Sequence, residues 1–164
     1  MLTPFHLGPG LLLGVLTFRF FNLWAVLLGS VVMDAEPLIL LLIGRCYNCP
    51  HHGFLHSILG AILGSLILSF FLWIFRKNLD RISLKIGISQ PFSFKIIFFS
   101  SFFAWILHVF SDSIVHYDVF PFWPSQYSPF FVGPTLYWLL NYVFLALGIF
   151  SLFIIYKKLR KKHA

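Results

Sequence analysis

Three stretches of this chain, Phe54 to Phe75, Ile96 to Tyr117 and Thr135 to Tyr156, are apolar for long enough to cross a bilayer. A backbone inside lipid has no water to bond to, so each must close its own hydrogen bonds as a helix. That constraint sets the class: an all-α polytopic membrane bundle. Only 10% of the 164 residues are charged, against about 25% in soluble domains. No separate aqueous domain fits beside the spans, and residues 1–164 read as a single integral membrane domain.

The stretch from Phe5 to Gly44 is harder to divide, because Arg19 and Asn22 interrupt it early and Asp34, Glu36 and Pro37 late. One division gives a short helix from Phe5 to Phe18, a turn at Arg19 to Asn22 and a second span from Leu23 to Gly44. The first helix would then be re-entrant or sit in a thinned bilayer. The other division places one span from Leu11 to Met33, with Arg19 snorkelling. Four to five spans are expected in all. Met1-Leu2-Thr3-Pro4 lacks the basic region of a cleavable signal, so insertion is expected without cleavage.

Twelve Lys and Arg against five Asp and Glu give a net charge of +7. In a soluble protein such an excess suggests nucleic acid, but here the charges are sorted by topology, and no nucleic-acid partner is expected. The loop after Phe75 carries Arg76, Lys77, Arg81, Lys85 and Lys95, and the tail carries Lys157, Lys158, Arg160, Lys161 and Lys162. With Arg19, eleven of the twelve fall on one side, leaving only Arg45 opposite. By the positive-inside rule that side, C-terminus included, is cytoplasmic. A multi-pass protein of the cell membrane is expected, with residues 45–53 and 118–134 facing outward.

Four of the five acids, Asp34, Glu36, Asp112 and Asp118, and every histidine except His163 fall in the outward loops or the helix halves beside them. Ionisable groups inside a membrane are costly unless paired, hydrated or metal-bound, which makes them candidates for function. His52 and His56 are four apart, as are His108, Asp112 and His116. Residues so spaced share a helix face, where two side chains can grip one ion. His108 and His116 would lie about 12 Å apart along the axis, too far for one mononuclear site. Either the cluster is extended or one of the two stands outside the ligand ring. Glu36 and His108 lie about 11 and 13 Å below the outer ends of their spans, at 1.5 Å per residue, so the polar groups form a funnel open outward. Asp34 and Glu36 point apart on a regular helix but converge if Pro37 unwinds it. His6, at the outer end of the first helix, would close the ring.

Three further features have plainer readings. Cys46-Tyr47-Asn48-Cys49 is a lone CxxC, readable as a redox pair, an outer-face disulfide or half a zinc knuckle completed by His51 and His52. Gly60 and Gly64 form a GxxxG that lets a neighbouring helix approach, on the same row as His52 and His56. The segment from Phe120 to Phe131 is too rich in proline for a helix. It reads as an aromatic belt or a lid at the outer headgroup level.

Together Thr3-Pro4-Phe5-His6, Asp34-Ala35-Glu36-Pro37, His51-His52-Gly53-x-x-His56-Ser57 and His108-x-x-x-Asp112 followed by Pro121-Phe122 resemble the membrane-bound, metal-dependent hydrolases typified by YdjM. The likeness runs from Thr3 to about Pro124. That family typically has an Asp-rich stretch at Asp34 and Glu36, and His-Arg-Gly before a Thr-His-Ser, where this chain has His52-Gly53-Phe54-Leu55-His56-Ser57. More distantly, the His-x-x-x-Asp arrangement is similar to zinc-dependent phospholipases C and related single-strand nucleases, which implies phosphoester chemistry by analogy.

The resulting expectation is a membrane-embedded, metal-dependent hydrolase acting on a phosphoester or lipid headgroup at the outer leaflet. Membrane lipid is the expected partner and a lipid-like molecule the expected substrate. A divalent ion is the expected cofactor, and His and carboxylate ligands favour zinc. His52, His56, His108 and Asp112 are assigned as ligands, with Asp34 as ligand or general base and Glu36 and His6 supporting. A metal or proton transporter and a non-catalytic scaffold are the alternatives. Transport requires polar groups serving both faces, whereas the cytoplasmic halves of these spans are almost wholly apolar.

Overall fold

A computed structural model of the chain describes residues 2–42 and 52–163, and among these there is helix and no strand. The helices are α1 (Thr3–Thr17), α2 (Leu23–Gly29), α3 (Ala35–Leu42), α4 (Ile58–Ile74), α5 (Arg76–Lys85), α6 (Phe94–Val115) and α7 (Tyr137–His163), with short 3₁₀ turns at Val32–Asp34, Phe54–His56 and Pro134–Leu136. The CxxC pair, Arg45 and His51 lie outside the described residues.

Three helical segments are long and apolar enough to cross a membrane: Leu23–Leu40, Phe94–Val115 and Pro134–Lys157. The pair α4–α5, bent by 73°, makes a fourth if it is counted as one span. The helix α1, at 15 residues, is the short first helix of the first division of the N-terminal region. The alternative span from Leu11 to Met33 does not form, because α1 ends at Thr17 and Asn22 caps α2 by accepting the Ala25 N–H at 3.1 Å.

Two other expectations need correction. The span from Leu23 to Gly44 is not one continuous helix. It breaks at Ser30, whose side chain bonds back to the Val26 carbonyl at 2.8 Å, and passes through a 3₁₀ turn that ends on Asp34. Pro37 does not cause the break. It falls in the first turn of α3, where a missing N–H costs nothing. The second correction concerns the segment after Phe75, expected as a loop. It is largely the amphipathic helix α5, which runs off at a sharp angle from α4.

Small residues set the packing, as expected where lipid removes most of the hydrophobic drive between helices. The bundle centres on α6, with α2 and α4 against it, while α1 lies between α2 and α7. Gly29 faces the backbone of Ser101, and Gly64 sits under the Trp105 ring, so the second glycine of the GxxxG is a packing site for α6. The first, Gly60, instead makes room for the preceding turn at Phe54 and Leu55. Met33, Ala61, Trp105, Val109 and Val119 form a buried cluster towards one end of the bundle, and Ala25, Leu72 and Ile97 another towards the opposite end. Outward-facing side chains such as Phe70, Phe71, Ile149 and Leu152 are more than half exposed, an apolar surface too extensive for water and suited to lipid.

The tightest approach joins α1 to α7, where Gly8 packs on the Phe144 carbonyl. A Cβ there would collide with backbone, which cannot turn aside. Gly8→Ala should therefore cost about 1–3 kcal/mol, the usual penalty for overpacking, read as a lowered thermal midpoint in detergent. An unchanged midpoint would mean that α1 and α7 are not in contact.

Candidate metal centre

At one end of the bundle α1, α2, α4 and α6 meet, and each, or the turn beside it, brings a polar side chain. His6 sits in the second turn of α1, Asp34 ends the 3₁₀ turn after α2, and His108 and Asp112 lie one turn apart on α6. His52 and His56 precede α4. They are not on a helix as their spacing suggested, since Ser57 is extended and caps α4 by accepting the Gly60 N–H at 3.0 Å. The 3₁₀ turn before it places His56 instead. That turn is pinned from three sides: Trp105 Nε1 donates to the Leu55 carbonyl at 2.8 Å, the Leu55 N–H donates to Glu36 Oε2 at 2.9 Å, and the Ile58 N–H donates to the Pro121 carbonyl at 2.9 Å. Gly53 is required here because a Cβ would strike the Glu36 carboxylate.

All six histidines and carboxylates assigned as candidate ligands come together. Asp34 Oδ1 is 3.2 Å from His56 Nε2 and 3.3 Å from His108 Nε2. Asp112 Oδ2 is 3.3 Å from His108 Nε2 and 3.6 Å from His52 Nε2, while its Oδ1 is 3.1 Å from His6 Nε2. The His6 and His108 rings stack at 3.6 Å. The side chains of His6, His56, His108 and Asp112 are at most 2% exposed. Glu36 stands to one side, 3.8 Å from His56 Nδ1 and engaged with the Leu55 N–H. As the sequence suggested for the case of an unwound segment, the two acids do converge, on the opposite nitrogens of one imidazole.

These groups could hold a divalent ion. Good N–H···O bonds cluster near 2.9–3.0 Å, whereas donors about 2.0–2.1 Å from a tetrahedral zinc stand roughly 3.3–3.4 Å apart by simple geometry. The contacts of Asp34 and Asp112 with His108, both 3.3 Å, match the second spacing, while that of Asp34 with His56, at 3.2 Å, is a hydrogen bond. Moreover, His6 Nε2 and His108 Nε2 are buried and face carboxylate oxygens at 3.1 and 3.3 Å, so imidazoles and carboxylates converge away from solvent. Orientation points the same way. His108 Nδ1 donates to the Ser30 carbonyl at 2.7 Å, and His52 Nδ1 is 3.0 Å from Asp118 Oδ1. Each ring is thereby held with Nε2 turned inward, as the outer partners of metal-binding histidines do.

Among the described residues, two groups could each hold an ion: Asp34, His56, His108 and Asp112, and separately His52, Asp112 and His116. The sequence left His116 undecided, because on a continuous helix it is two turns from His108. In the structure α6 ends before it, and extended backbone at His116 brings its ring to 4.6 Å from that of His52. Burial pushes its imidazole down to about 4, which leaves the ring neutral at physiological pH. Asp118 was given no role of its own from sequence. It orients His52, and the only hint was its position two residues after His116.

Over this funnel lies the proline-rich segment, non-helical as expected, with Trp123 edge-on to Phe54 at 5.1 Å and Phe130 against Phe110 and Phe122. No curated protein and no solved structure matches the chain. A family model described as YdjM inner membrane protein matches all of it, residues 1–164, and the chain belongs to that family.

Proposed function

We propose that this protein is a membrane-embedded, zinc-dependent hydrolase that cleaves a phosphoester or a lipid headgroup at the outer leaflet. One observation carries the reading: four donors from three separate segments, Asp34, His56, His108 and Asp112, converge in a buried space with donor atoms all within 4.8 Å of one another. Mixed imidazole and carboxylate donors suit Zn²⁺, which when bound would polarise a phosphoryl or carbonyl oxygen and lower the pKa of a bound water toward 7.

The chain's own groups then have distinct tasks. Asp34, His52, His56, His108 and Asp112 hold metal. His6 supports Asp112 and covers the inner face of His108 by stacking on it. Glu36 acts as a positioning residue, because its carboxylate fixes the Leu55 N–H and with it the turn that presents His56. Asp34 turns one oxygen to both His56 and His108, which places it between two imidazole ligands. A cluster at the helix ends, not at the midplane, can reach the polar part of a lipid whose tails remain in the bilayer.

Zinc-loaded protein in detergent micelles should hydrolyse a lipid-like phosphoester. Chelation should abolish turnover and zinc should restore it. Metal-dependent flux into sealed proteoliposomes, with no cleavage of any lipid tested, would replace hydrolysis by transport.

A further inference from the structure

The two donor groups are not independent, because Asp112 belongs to both. Its Oδ2 faces His108 Nε2 on one side and His52 Nε2 on the other. We propose that the centre takes two divalent ions with Asp112 as their shared ligand, one in a closed four-donor position and one in an open three-donor position completed by His116.

The two positions differ in the way that such a pair requires. The inner one has Asp34, His56, His108 and Asp112, a full tetrahedral set whose imidazoles are sealed from solvent. Closed four-donor sites hold metal, whereas catalytic zinc keeps a coordination place free. The outer one has three donors, His52, Asp112 and His116. It is also nearer the surface: the His52 side chain is 10% exposed and His116 is only half-buried. Substrate would therefore meet the outer position first.

Second-sphere support is built for both positions. Asp118 orients His52 through Nδ1 and also accepts the His52 N–H at 3.3 Å, while the Ser30 carbonyl orients His108. A chain with five acidic residues in all thus places four of them, Asp34, Glu36, Asp112 and Asp118, against the histidines of this pair. Two ions about 3.5–4 Å apart clamp the attacking and leaving oxygens of an in-line displacement. That geometry favours a phosphoester as the substrate class.

The inference rests on the metal reading above, and metal counting separates the two. Protein purified in detergent, saturated with zinc and freed of excess should carry two ions per chain by elemental analysis. One ion would overturn the shared-ligand pair and leave a mononuclear centre, whereas none would overturn the metal reading itself. His116→Ala and His52→Ala should each reduce the count from two to one, and His56→Ala should do so from the other position. Unreduced counts in the first two variants would remove the outer position. The unaltered protein gives a check free of folding effects: loaded with Mn²⁺, it should show the electron paramagnetic resonance of a spin-coupled pair. The spectrum of isolated Mn²⁺ alone would refute the pairing.

Discussion

Asp112→Asn should leave the protein with almost no bound divalent metal. The substitution keeps the shape of the side chain but removes its charge, and it turns an amide N–H₂ towards imidazole nitrogens that the carboxylate had faced. Since His6, His52 and His108 all approach this carboxylate, both donor groups lose their common member. Removing an outer partner of a metal ligand costs roughly 10–100-fold in affinity, so loss of the ligand itself should exceed 100-fold. Asp118→Asn removes the carboxylate that orients His52 and should fall in the smaller range. Titration with zinc checks both, and the thermal midpoint supplies a second reading. Zinc should raise it in the unaltered protein by mass action but not in Asp112→Asn. A variant that retained full metal and the zinc-dependent midpoint would show that Asp112 is structural.

Much of this centre was legible because membranes make polar residues conspicuous. Hydropathy marked α6 to within two residues at each end and the start of α7, whose helix runs on through the basic tail to His163, and the i, i+4 pair of His108 and Asp112 survived because α6 is regular up to Val115. His52 and His56 were grouped correctly for the wrong reason. Phe54 and Leu55 extend the apolar run, and hydropathy does not distinguish a helix from a 3₁₀ turn buried against Trp105. The local signals of the break were present: Gly53, which the Glu36 carboxylate leaves no room to replace, and Ser57, a capping residue at the start of α4.

His116 and Asp118 were less legible. The row from His108 through Asp112 to His116 has helical spacing, and the end of α6 carries no glycine or proline to mark it. What ends it is tertiary. The Val132 N–H donates to the Ile114 carbonyl at 2.9 Å, drawing the returning outer segment against the last turn. The break at Ser30 is of the same kind, since Gly10 and Gly29 let α1 and α6 close on that point. A contact of this sort requires partners remote in sequence, and composition does not encode them. The helix α5 was missed for another reason. Its charge marked it as a cytoplasmic loop, although Leu79 and Ser83 form a buried face whose Ser83 hydroxyl bonds Trp24 and Gln90.

Impermeant thiol reagents should give an all-or-none pattern in intact cells. The structure places the donor cluster and the basic helix α5 at opposite ends of the bundle: α6 runs from Lys95 beside the loop after α5 to Asp112 in the cluster, about 25 Å at 1.5 Å per residue. With eleven of twelve basic residues on the α5 side, the positive-inside rule makes that side cytoplasmic and turns the cluster outward. In a background carrying Cys46→Ser and Cys49→Ser, a single cysteine at the exposed position Lys85 should be shielded until the membrane is permeabilised. One at exposed Gln126, in the segment above the cluster, should react at once. The reverse pattern would place the cluster on the cytoplasmic side, and the substrate would then be sought among inner-leaflet headgroups. Labelling at both positions in sealed cells would imply dual insertion, which so uneven a charge distribution should forbid.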